Sequence, residues 1–385
     1  MKPGAKFLAA GVMACALLAR PLTLAAQPFL VGPNHLSFTV QAETVANSLQ
    51  PQLAIQSVQI MGPAGTSFQF TGVQPVAGEG NAINFVVVAP SSGVVPATVG
   101  IALNPSIVPY MKPGSYVLLA GFGQAGQALA GVEVTLTLLP PAPPTVASVV
   151  STASYQPTIS PGELVSIFGA NIGTPPISSQ FGGDGLYPTT LGNTTVAFNG
   201  ILAPLLYVST GQINAVVPYG VAGQKTVNVV VTHDSQAAPA FPVTIADTSP
   251  GIFTATQTGT GQGAILNAFP NPYQPTANST SNPSPKGSAI IIYATGAGVL
   301  TPAVPDGSIL LNSAQPAYVP AASVSLTIGG QPAFVFYASV PPFQVSGMLQ
   351  INAIVPDGVA SGSQPVVLTI GQNNNAQQQI TVAVQ

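Results

Sequence analysis

The sequence predicts an all-β chain, folded as β-sandwiches strung in tandem. Three observations predict it. Short runs alternate apolar and polar residues between Gly, Pro, Asn and Ser; no window of helical length escapes Gly or Pro while keeping a 3.6-residue period; and the second half of the chain repeats itself. Alternation with period two sends apolar side chains to one face of a strand and polar ones to the other. Val227-Asn228-Val229-Val230-Val231 and Val324-Ser325-Leu326-Thr327-Ile328 show it, as does Val132-Glu133-Val134-Thr135-Leu136-Thr137-Leu138.

Taken in order, the N-terminus reads as an export signal over residues 1–26. Lys2 and Lys6 form a basic start, Phe7 to Ala19 an apolar stretch, and Thr23-Leu24-Ala25-Ala26 a small-residue cleavage zone. The apolar stretch falls short of the ~20 residues a bilayer span needs. Lipid attachment at Cys15, the single cysteine, is the rival reading. Cleavage near Ala26 leaves a mature chain without cysteine, hence without disulfides, thiol nucleophiles or Cys-based metal sites. No later segment reads as a span, because Phe85–Leu103 and Ser288–Val304 are both broken by Gly and Pro.

Residues 27–139 form the first expected sandwich. Pro140-Pro141-Ala142-Pro143-Pro144 places four prolines in five residues, an extended linker assigned to 140–146. Two more sandwiches follow, at 147–247 and 248–385, because three blocks recur there in the same order. Gly162 to Gly173 matches Gly287 to Gly298 without a gap; Val196 to Gly200, with Tyr207, matches Leu326 to Gly330, with Tyr337; Gln212-Ile213-Asn214-Ala215-Val216-Val217-Pro218 matches Gln350-Ile351-Asn352-Ala353-Ile354-Val355-Pro356. Asn199-Gly200 and Gly329-Gly330 sit where a two-residue hairpin turn needs positive φ. Each copy carries about seven short strands, which fits an immunoglobulin-like sandwich. Val366–Ile370 and Ile380–Val384 close the chain as a hairpin, and Phe269–Lys286 reads as a long surface connection.

From about residue 147 onward the chain resembles the uncharacterised C-terminal domain of exported acidobacterial (Solibacter-type) proteins. The resemblance rests on Ile159-Ser160-Pro161-Gly162, Val165-Ser166-Ile167-Phe168-Gly169, Ala203-Pro204-Leu205-Leu206-Tyr207, Gly211-Gln212-Ile213-Asn214, Pro250-Gly251-Ile252-Phe253 and Tyr293-Ala294-Thr295-Gly296. The repeated units also look like IPT/TIG immunoglobulin-like domains. What this implies is a secreted or cell-surface sandwich protein, with no activity attached. The first domain is similar to BACON-type sandwiches through Phe85 to Gly93 and Pro113-Gly114-Ser115-Tyr116; Phe85 stands where such domains usually carry Trp.

Charge narrows the function classes. Charged residues make up 4% of the chain, against about 25% in ordinary soluble proteins. Beyond the leader, three lysines face nine acids, a net of −6. Three scattered cations cannot neutralise a run of phosphates, so nucleic acid and anionic membrane surfaces are excluded as partners. General acid–base or nucleophilic catalysis needs His, Cys, Lys or paired carboxylates within reach of one another. The mature chain offers His35, His233, three lysines and acids spread widely in sequence, with no Gly-x-Ser-x-Gly elbow. Asp184, in Phe181-Gly182-Gly183-Asp184-Gly185, lacks the neighbouring carboxylates that Ca²⁺ requires and reads as a turn. No catalytic residue, metal or cofactor is expected.

Aromatic rings are the remaining contact chemistry. Tyr187, Tyr219, Tyr273 and Tyr318 lie in Gly/Pro-rich connections and are the candidate ligand contacts, since Tyr offers a face and a polar tip. Tyr207 and Tyr337 occupy equivalent places and read as core or corner residues. Asn193-Thr194-Thr195 and Asn278-Ser279-Thr280 match glycosylation sequons. The expectation is a non-enzymatic secreted or surface module for adhesion or recognition. Its alternatives are a carbohydrate-binding protein using those tyrosines and a structural spacer or matrix component. The expected partner is an extracellular glycan, a surface protein or a further copy of the chain.

Overall fold

A computed structural model describes residues 30–41, 55–76, 83–124, 127–268, 274–310 and 317–385. The expected leader, Cys15 and Tyr273 lie outside these. Among the described residues the chain is β-strand joined by turns, with three 3-10 turns of three residues each and no α-helix. It divides into two compact units, residues 1–142 and 143–385.

The first unit is a sandwich. One sheet orders Leu30–Gly32, Gln56–Met61, Ala97–Leu103 and Val86–Ala89; the other orders His35–Gln41, Gln127–Leu139, Gly114–Gln124, Ser67–Pro75 and Ser92–Val94. The run Val132 to Leu138 behaves as its alternation predicts: Val132, Val134, Leu136 and Leu138 are buried with Phe85, Phe122, Ile60 and Ile101 between the sheets. Phe85 is therefore a core ring and cannot serve as a surface platform.

The second unit holds both repeat copies. In the first copy, Thr145–Ser151, Leu164–Ala170, Gln212–Val216, Leu205–Val208 and Ile177–Ser178 form one sheet. Ile201–Leu202, Thr194–Phe198, Thr226–His233 and Gln236–Ala237 form the other, with Phe241–Thr244 on its edge. Pairing begins at Thr145↔Ala170, so the strand starts inside the stretch assigned to the linker. In the second copy the two sheets merge into one of eleven strands. Ala203-Pro204 interrupts the first copy, where proline has no N–H to offer a ladder. The counterpart, Ala333-Phe334, continues unbroken in Gln331–Ser339, which pairs Val324–Ile328 at its start and Leu349–Ile354 beyond.

Both predicted hairpin turns form, with φ of 47° and 84° at Asn199-Gly200 and 57° and 76° at Gly329-Gly330. The closing hairpin pairs Gly362–Ile370 with Ile380–Val384. Two readings are corrected. Tyr207 and Tyr337 are half-buried opposite Asn214 and Asn352 on the outward face, because a bulge after Leu205 and after Val335 shifts the alternation by one. The described part of the 269–286 connection belongs to the sandwich: Thr276–Ala277 extends the sheet, and Asn278 is buried, donating to Asn267 Oδ1 and Ala383 O and accepting from the Ala383 amide. Its side chain is committed to packing, whereas Asn193 is exposed.

Candidate functional site

The two repeat copies meet along a junction stitched by side chains from both. The outer sheet face of the first copy contributes Leu164, Val216 and Leu206, and a connection adds Tyr187, packed with Phe253, Val345 and Met348 of the second. Thr295 is fully buried there. Its hydroxyl accepts from the Leu164 amide at 2.9 Å and donates to Gly347 O at 2.7 Å.

The candidate tyrosines are part of this seam. Tyr219 donates from its hydroxyl to Ser346 O (3.2 Å), and its amide donates to Asp306 Oδ1 (2.7 Å). Burial pushes its phenol above the ordinary tyrosine range, opposed by the Ser346 bond and reinforced by the nearby Asp306 charge. Its ring lies where a Cβ on Gly162 would stand, 2.3 Å away, so Tyr219 packs there only because residue 162 is glycine. Tyr318 joins Tyr219 in a second apolar cluster with Leu300, Leu310 and Val340. Tyr187 donates its amide to Gly307 O and meets Phe181 edge-to-face. Tyr187 and Tyr219 thus hold the copies together, Tyr318 packs on the second copy's side of the cluster that receives Tyr219, and Tyr273 lies outside the described residues.

The seam opens into a cleft of about 360 Å³, lined by Ser154, Gln156, Thr158 and Thr248–Pro250 on one side and Gln372–Asn375, Gln377 and Gln378 on the other. No lining residue is ionisable. Its amides fall into two tiers. Asn375 and Gln378 are buried and bonded: the Gln378 Nε2 donates to Ala153 O and Ile252 O, while its Oε1 accepts from the Ile252 and Asn375 nitrogens. Asn373 donates to Thr248 O and Oγ1. The side chains of Gln156, Gln372 and Gln377 are exposed at the rim, with amide groups that bond no other described residue. Nothing local marked this cleft in the sequence, because its walls lie more than 120 residues apart; the amide-rich run Gln372 to Gln379 was its one visible sign.

Glu163 is the other residue missed. It is fully buried, and desolvation raises its carboxyl from the usual 4.5 to about 8, against the opposing bonds of Ser151 and of the Ser160 amide and hydroxyl. The Ser160 amide and hydroxyl both donate to Oε2, at 2.7 and 3.1 Å, while Oε1 has no partner of ordinary length. In the second copy Ser288 takes this place and donates to Pro285 O instead. The carboxyl therefore caps a turn whose relative closes without one.

Around His233 the structure assembles a group that superficially suggests a triad: Nδ1 is 2.9 Å from Thr194 Oγ1, and Nε2 is 3.5 Å from Asp234 Oδ2. Thr194 is fully buried and its hydroxyl donates to Gly192 O, so that oxygen is neither accessible nor free to give its proton to the imidazole. His35 pairs with Glu133 at 3.2 Å in an exposed position. Asp184 accepts from the Leu186 amide as a turn residue does. Among the described residues, no three His, Cys, Asp or Glu side chains converge in a way that could hold a metal ion.

No protein-family model matches the chain, and no curated protein matches it. Among solved structures it is similar to SGBP-B of the Bacteroides ovatus mixed-linkage glucan utilization locus, in complex with a mixed-linkage heptasaccharide, at 13% identity over 92% of this chain and 67% of that one, with a TM-score of 0.27. The Escherichia coli adhesin FdeC matches at 12% identity over 86% and 92%, TM-score 0.18. A protein of unknown function from Porphyromonas gingivalis W83 matches at 14% over 57% and 98%, TM-score 0.20. These scores are too low for any of the three to carry a functional argument.

Proposed function

We propose that the chain is an exported, non-enzymatic recognition module whose ligand is an uncharged, hydroxyl-rich molecule, a glycan, held in the amide cleft between the two repeats. The observation that carries this reading is the cleft's lining: every polar group is an amide, a hydroxyl or backbone, and none is ionisable. A carboxamide both donates and accepts, as a sugar hydroxyl does, so a rim of free amides matches a polyol and offers an ion nothing to pair with. The bonded floor of Asn375 and Gln378 fixes the wall that carries Gln372 and Gln377. The absence of an accessible base–nucleophile pair at His233 favours binding over turnover. Membership of the exported acidobacterial domain family, proposed on the motifs quoted above, agrees with a place outside the cell.

The test is retention of the purified mature chain on immobilised neutral polysaccharides and on envelope fractions, beside a Gln372→Ala/Gln377→Ala variant. Both side chains are exposed, so the variant should unfold at the wild-type temperature while losing about tenfold or more in affinity, roughly two hydrogen bonds' worth. No retention across the panel, or retention indifferent to the double substitution, overturns the assignment.

A further inference from the structure

The repeat makes one comparison possible that neither copy allows alone. In the first copy, Leu164, Val216, Pro204 and Leu206 share the outer sheet face, and the second copy covers them: Leu164 and Val216 are buried, Leu206 packs in the junction cluster, and Gly307 lies against Pro204. Their counterparts in the second copy are Ala289, Ile354, Phe334 and Phe336, placed by the same strand pairing, Leu164↔Val216 and Ala289↔Ile354, and by the same bulge. There the face is bare. Phe334 is 70% and Phe336 50% exposed, their rings stacked at 6.5 Å, with Ala289, Ile291 and Ile354 half-exposed beside them. Where a covered face has Pro and Leu, the uncovered one has two phenylalanines.

What covers the first copy is the loop end of a sandwich of the same kind: residues around Asp306-Gly307, from the connection between Ala289–Thr295 and Val324–Ile328, with Val345 and Met348. The homologous end of the first copy lies in the connection between Leu164–Ala170 and Thr194–Phe198. Part of it, around Leu186 and Tyr187, is engaged in the junction, but the stretch 175–184 is exposed apart from half-buried Ser179 and presents Ile177 and Phe181. We infer that the Phe334/Phe336 face is a docking site for a second copy of this chain, received through its Ile177/Phe181 end, so that chains join head to tail. The contact is heterologous, which makes the assembly open-ended unless a rotation closes it. A surface almost free of charge supplies little repulsion against it. This inference is independent of the glycan cleft, whose lining shares no residue with either surface.

The test is sedimentation velocity of the mature chain over a concentration series. Wild type should pass from one-chain mass to multiples of it as concentration rises. Phe334→Ser/Phe336→Ser and, separately, Ile177→Ser/Phe181→Ser should each remain at one-chain mass, with unchanged circular dichroism and unfolding temperature. Mixing the two variants should restore one productive contact per pair and stop at dimers. Wild type that stays monomeric overturns the inference, as does assembly that survives either double substitution. An Ile177→Ser/Phe181→Ser variant that dimerises by itself overturns it in favour of a face-to-face pair. Polysaccharide retention abolished by Phe334→Ser/Phe336→Ser, in a chain that does not assemble, overturns it in favour of a stacking platform for sugar.

Discussion

Replacing Glu163 by Gln removes a buried ionisable group while keeping an oxygen that can accept from the Ser160 amide. The folded carboxyl releases its proton near pH 8 and the unfolded one near 4.5. Between those values the folded state holds a proton that the unfolded state has lost, so stability falls as pH rises. It is highest below 4.5, declines across the interval and levels off above 8. At about 1.4 kcal/mol per pH unit, the full decline is on the order of 5 kcal/mol, an upper bound because water can reach a charged buried group. Scanning calorimetry of wild type and Glu163→Gln at pH 5 and pH 8.5 isolates the effect, because contributions from the other sandwiches cancel in the difference. Wild type should lose several kcal/mol in the transition containing the first repeat, and the variant should lose little and be the more stable protein at pH 8.5. Parallel pH dependence in the two proteins would refute the burial argument.

Three further substitutions probe the junction, and a fourth, away from it, serves as a control. Thr295→Val keeps the shape but leaves the buried Leu164 amide and Gly347 carbonyl unpaired, which should cost about 2–4 kcal/mol by calorimetry. Tyr219→Phe removes only the bond to Ser346 O; about 1 kcal/mol is expected, together with faster protease cleavage near the seam. Gly162→Ala and Gly200→Ala form a controlled pair, since both glycines have positive φ, but only at 162 would the new methyl meet the Tyr219 ring. Gly200→Ala should show the backbone cost alone, about 1 kcal/mol, and Gly162→Ala clearly more, read as unfolding midpoints.

How far the sequence reached follows from which forces are local. Strand alternation and turn geometry act within a few residues, so Val132–Leu138, Asn199-Gly200 and Gly329-Gly330 were legible. The duplicated Gln-Ile-Asn block carries the same contact in both copies: Gln212 donates to Asn214 and Gln350 to Asn352, each at 2.9 Å. Residue roles that depend on the neighbouring copy were hidden. Tyr187 and Tyr219 looked like loop tyrosines free to bind, but they have partners on the other repeat, and Tyr318 packs against Leu300, Leu310 and Val340 of its own. Glu163 gave no sign of burial, because charge in a turn sequence ordinarily faces water. Phe334 and Phe336 could have been found: aligned on the repeat, Val335 matches buried Leu205, which turns its flanking residues outward.

The proline at 204 leaves an asymmetry that truncation would expose. The first repeat's two sheets part company at that residue, and the gap is closed by a loop of its successor, whereas the second repeat is laced shut by its own crossing strand, Gln331–Ser339. Cut between them, a fragment of 248–385 keeps the strand that joins its two sheets, while 143–247 loses the lid over its open edge and should fray from that edge first.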